Sequence, residues 1–188
     1  MNEIQPPPDP IEPVMNEEEK AAAQFWMRTI VVISLFLASM TVLDAFITLF
    51  TYLAFLAGRI DPNQFQEWHQ AFEEIQKAPY LFIGMNLYNI ILWNGVIVCC
   101  IWFLRYHMWL RKWLKTLLGF DMIVTVVHLL WEVSQGDARI SSPGLFIVMN
   151  AMQVGIIIAL SHPRIVELLE KFSLQQKKAA QSLKDSDF

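Results

Sequence analysis

The stretch of sequence that decides the fold is residues 105–132, RYHMWLRKWLKTLLGFDMIVTVVHLLWE. It opens with a basic turn that carries Arg105, Arg111, Lys112 and Lys115, and it continues as an apolar run. Lys and Arg are concentrated in the short loops that stay on the cytoplasmic side of a membrane, and an apolar run of about 20 residues can cross the bilayer as a helix. The stretch therefore predicts a cytoplasmic turn followed by a membrane span.

The composition also indicates a membrane protein. Of the 188 residues, 55% are hydrophobic and 17% are charged, whereas a typical soluble domain carries about 25% charged residues. The net charge of -4 argues against a nucleic-acid partner, because nucleic-acid binding normally shows as a basic excess. The predicted partners are the lipid bilayer and other membrane protein subunits, in a hetero-complex or a homo-oligomer.

Further apolar runs predict an all-α polytopic membrane protein with a bundle of four transmembrane helices across residues 16–161. The spans are predicted at about 26–57, 80–104, 113–133 and 145–160. The helix that contains the first span should begin early, since Asn16 is a good N-cap and Glu19 occupies the capping-box position. No helix-breaking residue then follows until Gly58.

Three segments outside the spans are predicted to lie in water or at the membrane surface. Residues 1–15 contain five prolines and should form an extended cytoplasmic arm. Residues 62–77 repeat aromatic and aliphatic side chains at helical spacing among polar ones, which is typical of an amphipathic surface helix between the first two spans. Residues 162–188 should form a cytoplasmic amphipathic helix that ends in a flexible tail.

The distribution of Lys and Arg predicts the orientation of the chain. With four spans and both termini in the cytoplasm, eleven of the 14 Lys and Arg residues fall inside and three fall outside, as the positive-inside rule requires. The sidedness depends most on the basic turn with Arg105, Arg111, Lys112 and Lys115. The predicted location is the plasma membrane or an inner membrane.

Ionisable side chains inside the spans are the candidate functional residues, because a charge at the bilayer centre costs about 2.5–3.5 kcal/mol on insertion scales and usually has a partner. In the third span Asp121, Thr125 and His128 recur at helical spacing and share one face. In the first span Asp44 and Thr48 lie on a similar face. Both spans run in the same direction, so the two faces can lie opposite each other, with Asp44 and His128 as the candidate titrating groups.

Amide side chains in the other spans could add a polar lining to such a site. They are Asn86, Asn89, Asn94, Asn150 and Gln153. The alternative interpretation is structural, since amides often hold membrane helices together through hydrogen bonds worth about 1 kcal/mol or less each. The sequence leaves both interpretations open.

No catalytic motif is present in the sequence. It has no phosphate-binding glycine loop, no nucleophile elbow and no cysteine pair spaced for zinc, so an enzyme is not predicted. His128 is a candidate ligand to a haem or a chlorophyll-type pigment, because a single axial ligand takes one histidine within a span among small or apolar neighbours, as in residues 126–129. No cofactor is identified by the sequence.

Three hypotheses of function follow. The leading one is an accessory or structural subunit of a larger membrane protein complex, an energy-transducing complex being one candidate, because the arm, the surface helix and the C-terminal helix offer three docking surfaces. The second is a small oligomeric proton- or cation-handling transporter or channel that uses Asp44 and His128. The third is a haem- or pigment-binding redox or light-harvesting subunit with His128 as the ligand.

Overall fold

A computed structural model describes residues 15–59, 79–105, 107–134 and 143–186 of the chain. In these ranges the protein is all-α, and its helices are α1 (Glu17–Leu56), α2 (Pro79–Leu104), α3 (Leu110–Ser134), α4 (Pro143–Ser161) and α5 (Pro163–Ser186). Residues 1–14 of the predicted arm and the predicted surface helix at 62–77 lie outside the described residues.

Both ends of α1 are set by local sequence signals. The Glu19 backbone N–H donates to the Asn16 side chain at 2.7 Å, and the Asn16 backbone N–H donates to the Glu19 carboxylate at 3.1 Å, which completes the predicted capping box. After the helix, Gly58 adopts a φ of 65°, a left-handed conformation that glycine tolerates because it has no Cβ. The 40 residues of α1 therefore form one uninterrupted helix of about 60 Å.

Three of the helices, α1, α2 and α3, are long and apolar enough to cross a membrane, and a fourth span results if α4 and α5 are counted as one segment bent by 67°. Large apolar side chains such as Phe50, Ile91 and Ile147 are exposed on the outer faces of these helices. Contact with lipid or with another apolar surface is more favourable for such faces than contact with water. The fold is therefore compatible with an integral membrane protein.

The most extensive helix pair is α1 with α2. Small side chains on the facing surfaces of the two helices are almost completely buried, including Ser34, Ala38 and Ala45 on α1 and Cys100 on α2. Small residues allow helix backbones to approach closely, which is the usual packing between helices in membranes. Cys99 and Cys100 are both buried free thiols, so they serve as packing residues here.

Helix α5 turns away from α4 at Pro163 and packs on both α1 and α4. Its Leu169 and Phe172 are buried in the same core as Met15 and Leu114. The start of α1, the start of α3 and the first half of α5 therefore meet at one end of the bundle. Helix α5 continues to Ser186, through much of the segment that the sequence predicts as a flexible tail. Gln, Lys, Ala and Leu in this segment are good helix formers.

The two polar faces predicted to lie opposite each other are not brought together. Helix α1 packs on α2, α4 and α5, and its contact with α3 is at most marginal in the described part of the chain. The short connection at residues 105–109 makes α2 and α3 adjacent, and α1 packs on α2 as well. In the described part of the chain, the polar faces of the first and third spans therefore do not meet.

Candidate functional site

A buried polar cluster joins α3 to α4. Nε2 of Gln153 donates to the Leu118 carbonyl oxygen at 2.8 Å and to Oδ2 of Asp121 at 3.1 Å. Asp121 is 7% exposed and Gln153 is 5% exposed, so water does not replace these bonds. The amide of Gln153 thus supplies a donor to a carboxyl group that lies within a candidate membrane span.

Helix α2 closes the cluster on another side. Tyr88 and Trp93 lie close enough to the Asp121 carboxyl to interact with it electrostatically, and the Tyr88 ring packs edge-on against Phe120 with 6.1 Å between ring centroids. The buried Tyr88 hydroxyl has no hydrogen-bond partner of good geometry among the described residues. Tyr88 therefore lies near Asp121 without a hydrogen bond of good geometry to it.

Most of the amide side chains predicted to line a site form hydrogen bonds within their own helix. The amide nitrogens donate to the carbonyl oxygen four residues earlier, in the pairs Asn86 to Phe82 at 2.9 Å, Asn94 to Ile90 at 2.7 Å and Asn150 to Phe146 at 2.8 Å. Such bonds do not connect one helix to another. Asn89 is half-buried on α2. Of the amides named from the sequence, Gln153 is the one that, within the described ranges, connects two helices.

Asp44 lies apart from this cluster. It is exposed on α1, at the edge of a face that also exposes Met40, Leu43 and Ile47. No hydrogen bond or ion pair from a described residue reaches its carboxylate in the structure. Thr48, one turn further along α1, is half-buried.

Thr125 and His128 are half-buried on α3. Because α1 and α3 are hardly in contact, the structure does not bring His128 to Asp44. Within the described ranges, no group of three or more His, Cys, Asp and Glu side chains is arranged to hold a metal ion.

The basic turn is anchored to the helices on either side of it. The Arg105 guanidinium lies 5.7 Å from the centre of the Trp102 ring, and the His107 ring lies 5.4 Å from the same side chain. At the start of α3, Nη2 of Arg111 lies 3.4 Å from Oε1 of Glu170 on α5. Lys112 and Lys115 point outward and are exposed.

A second group of charges lies where the start of α1 meets α5. Nζ of Lys171 lies 2.7 Å from Oε1 of Glu167, and the two side chains share a cavity wall with Asn16, Glu18 and Glu19. The hydrogen bond from Lys171 lowers the pKa of Glu167, and the same bond raises the pKa of Lys171. Both residues lie outside the candidate spans α1 to α3 and remain open to solvent.

Sequence reasoning identified Asp121 and Gln153 individually, but it missed Tyr88 and Trp93. The available signal was that each side chain combines an apolar ring with a hydrogen-bond donor inside a predicted span. Such a donor normally needs a polar partner when it is buried.

Comparisons of the chain with protein-family models, with curated proteins and with solved structures found no match. By its fold, the chain belongs to the class of α-helical proteins with three or four candidate membrane spans. In the described ranges, a carboxyl–amide cluster connects two of its helices.

Proposed function

We propose that the protein is a four-span integral membrane protein that serves as an accessory or structural subunit of a larger membrane assembly. The observation that carries this proposal is the position of Asp44, which is exposed in the middle of the long apolar helix α1. A carboxylate that faces lipid is strongly disfavoured, whereas one that faces a partner helix can be paired. A partner therefore covers Asp44 in the assembled state.

The surroundings of Asp44 define the chemistry of that partner. Met40, Leu43 and Ile47 form an exposed apolar face beside the carboxylate. A transmembrane helix with an apolar face and one basic or hydrogen-bond-donating side chain at the level of Asp44 would match both properties. A different subunit or a second copy of this chain can supply such a helix.

Both termini are proposed to lie in the cytoplasm. In support, the segments that the positive-inside rule assigns to the cytoplasm meet at one end of the bundle, through the contact of Arg111 with Glu170 and the cavity shared by α1 and α5. At the opposite end, Tyr52 of α1 packs edge-on against Phe82 of α2, with 5.2 Å between ring centroids.

Thiol labelling of intact cells tests this orientation. Arg59→Cys and Ser182→Cys place reactive thiols at exposed positions near opposite ends of the fold, while the native Cys99 and Cys100 are buried. A membrane-impermeant maleimide should label Arg59→Cys directly and Ser182→Cys only after permeabilisation. The reverse pattern would overturn the orientation.

Purification in mild detergent tests the subunit role. The wild-type protein should migrate in a stoichiometric assembly well above its own mass of 21.8 kDa, and Asp44→Leu should release it. Ser39→Leu, which replaces another exposed polar side chain of the same helix, should leave the assembly intact. A wild-type protein that is monomeric under these conditions contradicts the proposal. An absorption band in the same preparation that is lost in His128→Ala would instead favour a haem- or pigment-binding subunit.

A proton- or cation-handling transporter or channel is the second candidate, and the buried carboxyl of Asp121 is the observation that favours it. A carboxyl inside a bundle is a typical element of a proton or cation path. Flux into liposomes that is abolished by Asp121→Asn and retained in Asp44→Asn would support this function. Loss of flux in Asp44→Asn with flux retained in Asp121→Asn would contradict a path through Asp121.

A further inference from the structure

An apolar cleft lies at the bend between α4 and α5, in a part of the fold that the proposed subunit role does not use. It encloses about 580 Å³, within the range of pockets that bind small ligands. Helix α1 contributes Ala22 and Trp26, α4 contributes Gly155, Ile158 and Ala159, and α5 contributes Ile165 and Leu168. Its walls are almost entirely hydrocarbon.

The rim of the cleft is basic. His162 at the bend and Arg164 in the first turn of α5 line its edge, and both side chains are exposed. An apolar interior with a basic rim is complementary to a molecule that has a hydrocarbon chain and an anionic head.

Acidic side chains lie near Arg164, and its positive charge acts on Glu167, but none of them forms a salt bridge with it among the described residues. Glu167 is held by Lys171 at 2.7 Å, and the Glu19 carboxylate accepts the Asn16 backbone N–H in the capping box. Glu18 also lines the neighbouring cavity that Arg164 borders. No salt bridge to Arg164 is formed by the residues that the structure describes, so its guanidinium can bind an external anion.

The position of the cleft across the proposed membrane suits a lipid. The bend lies at the end of the bundle where the basic turn packs against α5, the end proposed above to face the cytoplasm. Trp26 lines the cleft at this level, and tryptophan is enriched at the headgroup level of membranes. A lipid of the cytoplasmic leaflet could therefore reach the cleft without leaving the bilayer.

We propose that this cleft binds an anionic phospholipid, with one acyl chain among Trp26, Gly155 and Ile158 and the phosphate at Arg164 and His162. The proposal rests on the membrane placement proposed above. It is independent of the subunit role, because Asp44 lies on another part of α1. A variant can therefore lose the bound lipid and keep its protein partners, or lose the partners and keep the lipid.

Native mass spectrometry of the purified full chain in detergent tests the proposal. The probes are phosphatidylglycerol and phosphatidylcholine with identical acyl chains, added at equal concentrations. The wild-type protein should retain one phosphatidylglycerol in preference to phosphatidylcholine. Arg164→Gln should weaken that retention about tenfold, since hydrogen bonds to charged groups contribute this much to affinity, and Arg28→Gln, an exposed arginine outside the cleft, should not.

A second variant tests the acyl-chain part of the cleft. A Cβ built on Gly155 meets no atom within 4 Å, so Gly155→Leu should fold and fill the cleft, and it should reduce retention of both lipids. Gly84→Leu is the matched control, because a Cβ on Gly84 is equally unobstructed and α2 does not line the cleft. Equal retention of the two lipids by the wild type, or unchanged retention in both Arg164→Gln and Gly155→Leu, would overturn the proposal. Competition by free inorganic phosphate without any effect of Gly155→Leu would show an anion site that takes no lipid, which also overturns it.

Discussion

Gln153 of α4 donates a hydrogen bond of 3.1 Å to the Asp121 carboxyl of α3, and both side chains are buried. We expect Gln153→Leu to destabilise the protein by about 1–3 kcal/mol, because it leaves a buried carboxyl without its donor. The double variant Asp121→Leu with Gln153→Leu should be more stable than Gln153→Leu alone, since it removes both polar groups. Equilibrium unfolding in mixed micelles measures the four values, for the wild type, the single variants Gln153→Leu and Asp121→Leu, and the double variant.

Asn94→Leu is the control for this cycle. Its amide bonds to the Ile90 carbonyl of its own helix and it is exposed, so its replacement should change the free energy of unfolding by less than about 0.5 kcal/mol. Additive effects of the two substitutions in the double variant would show that Asp121 and Gln153 do not interact.

Leu169 anchors α5 to the end of the bundle and is 1% exposed. Leu169→Ala should destabilise the protein by about 2–5 kcal/mol, the usual range when a buried leucine is truncated and a cavity remains. Leu174 on the same helix is 60% exposed, and Leu174→Ala should have almost no effect. Similar unfolding midpoints for the two variants would contradict the packing of α5 on the core.

Arg111 connects the basic turn to α5 through Glu170. Replacing Arg111 with Gln should raise deuterium uptake across α5, because this link is lost while the helix itself is unchanged. The effect should be small, since Glu170 is half-exposed and exposed ion pairs contribute about 1 kcal/mol or less. Lys112→Gln, at the neighbouring exposed position, should leave the uptake of α5 as it is in the wild type.

The pair formed by Glu167 and Lys171 predicts a dependence of stability on pH. The pKa of Glu167 is lowered in the folded protein by its bond from Lys171, so its stabilising contribution is present above the ordinary pKa of a glutamate and is lost as the pH falls through the lowered pKa. The raised pKa of Lys171 has the opposite sign, and its contribution is lost as the pH rises through that raised value.

Thermal unfolding followed by circular dichroism at several pH values measures both arms of this dependence. Glu167→Gln should reduce the loss of stability at acid pH, and the high-pH arm should shrink in the same variant. Glu18→Gln, an exposed acid near the same cavity, should keep the wild-type profile. If Glu167→Gln loses as much stability at acid pH as the wild type, the attribution of this pH dependence to Glu167 is wrong.

Local signals predicted the helix boundaries well, and spatial relations less well. The capping box at Asn16 and Glu19 and the end of α1 just before Gly58 depend on residues close in sequence, so they could be predicted without a structure. The neighbours of each helix depend on its rotation about its own axis. The common direction of the first and third spans allowed Asp44 to face His128, but it could not show that α1 turns its small residues toward α2. The contact of Gln153 with Asp121 likewise depends on the rotation of α3 and α4, which the sequence alone does not show.

The close α1–α2 interface has a consequence for how the protein responds to force. If the molecule is pulled out of a bilayer by its C-terminus, α5, α4 and α3 are extracted in turn, and each loses contacts with helices that remain embedded. The last two helices are held by the most extensive helix contact of the described chain, which buries Ser34, Ala38 and Cys100. The last rupture peak of the force–extension curve should therefore be the highest, because the pair formed by α1 and α2 should resist extraction most.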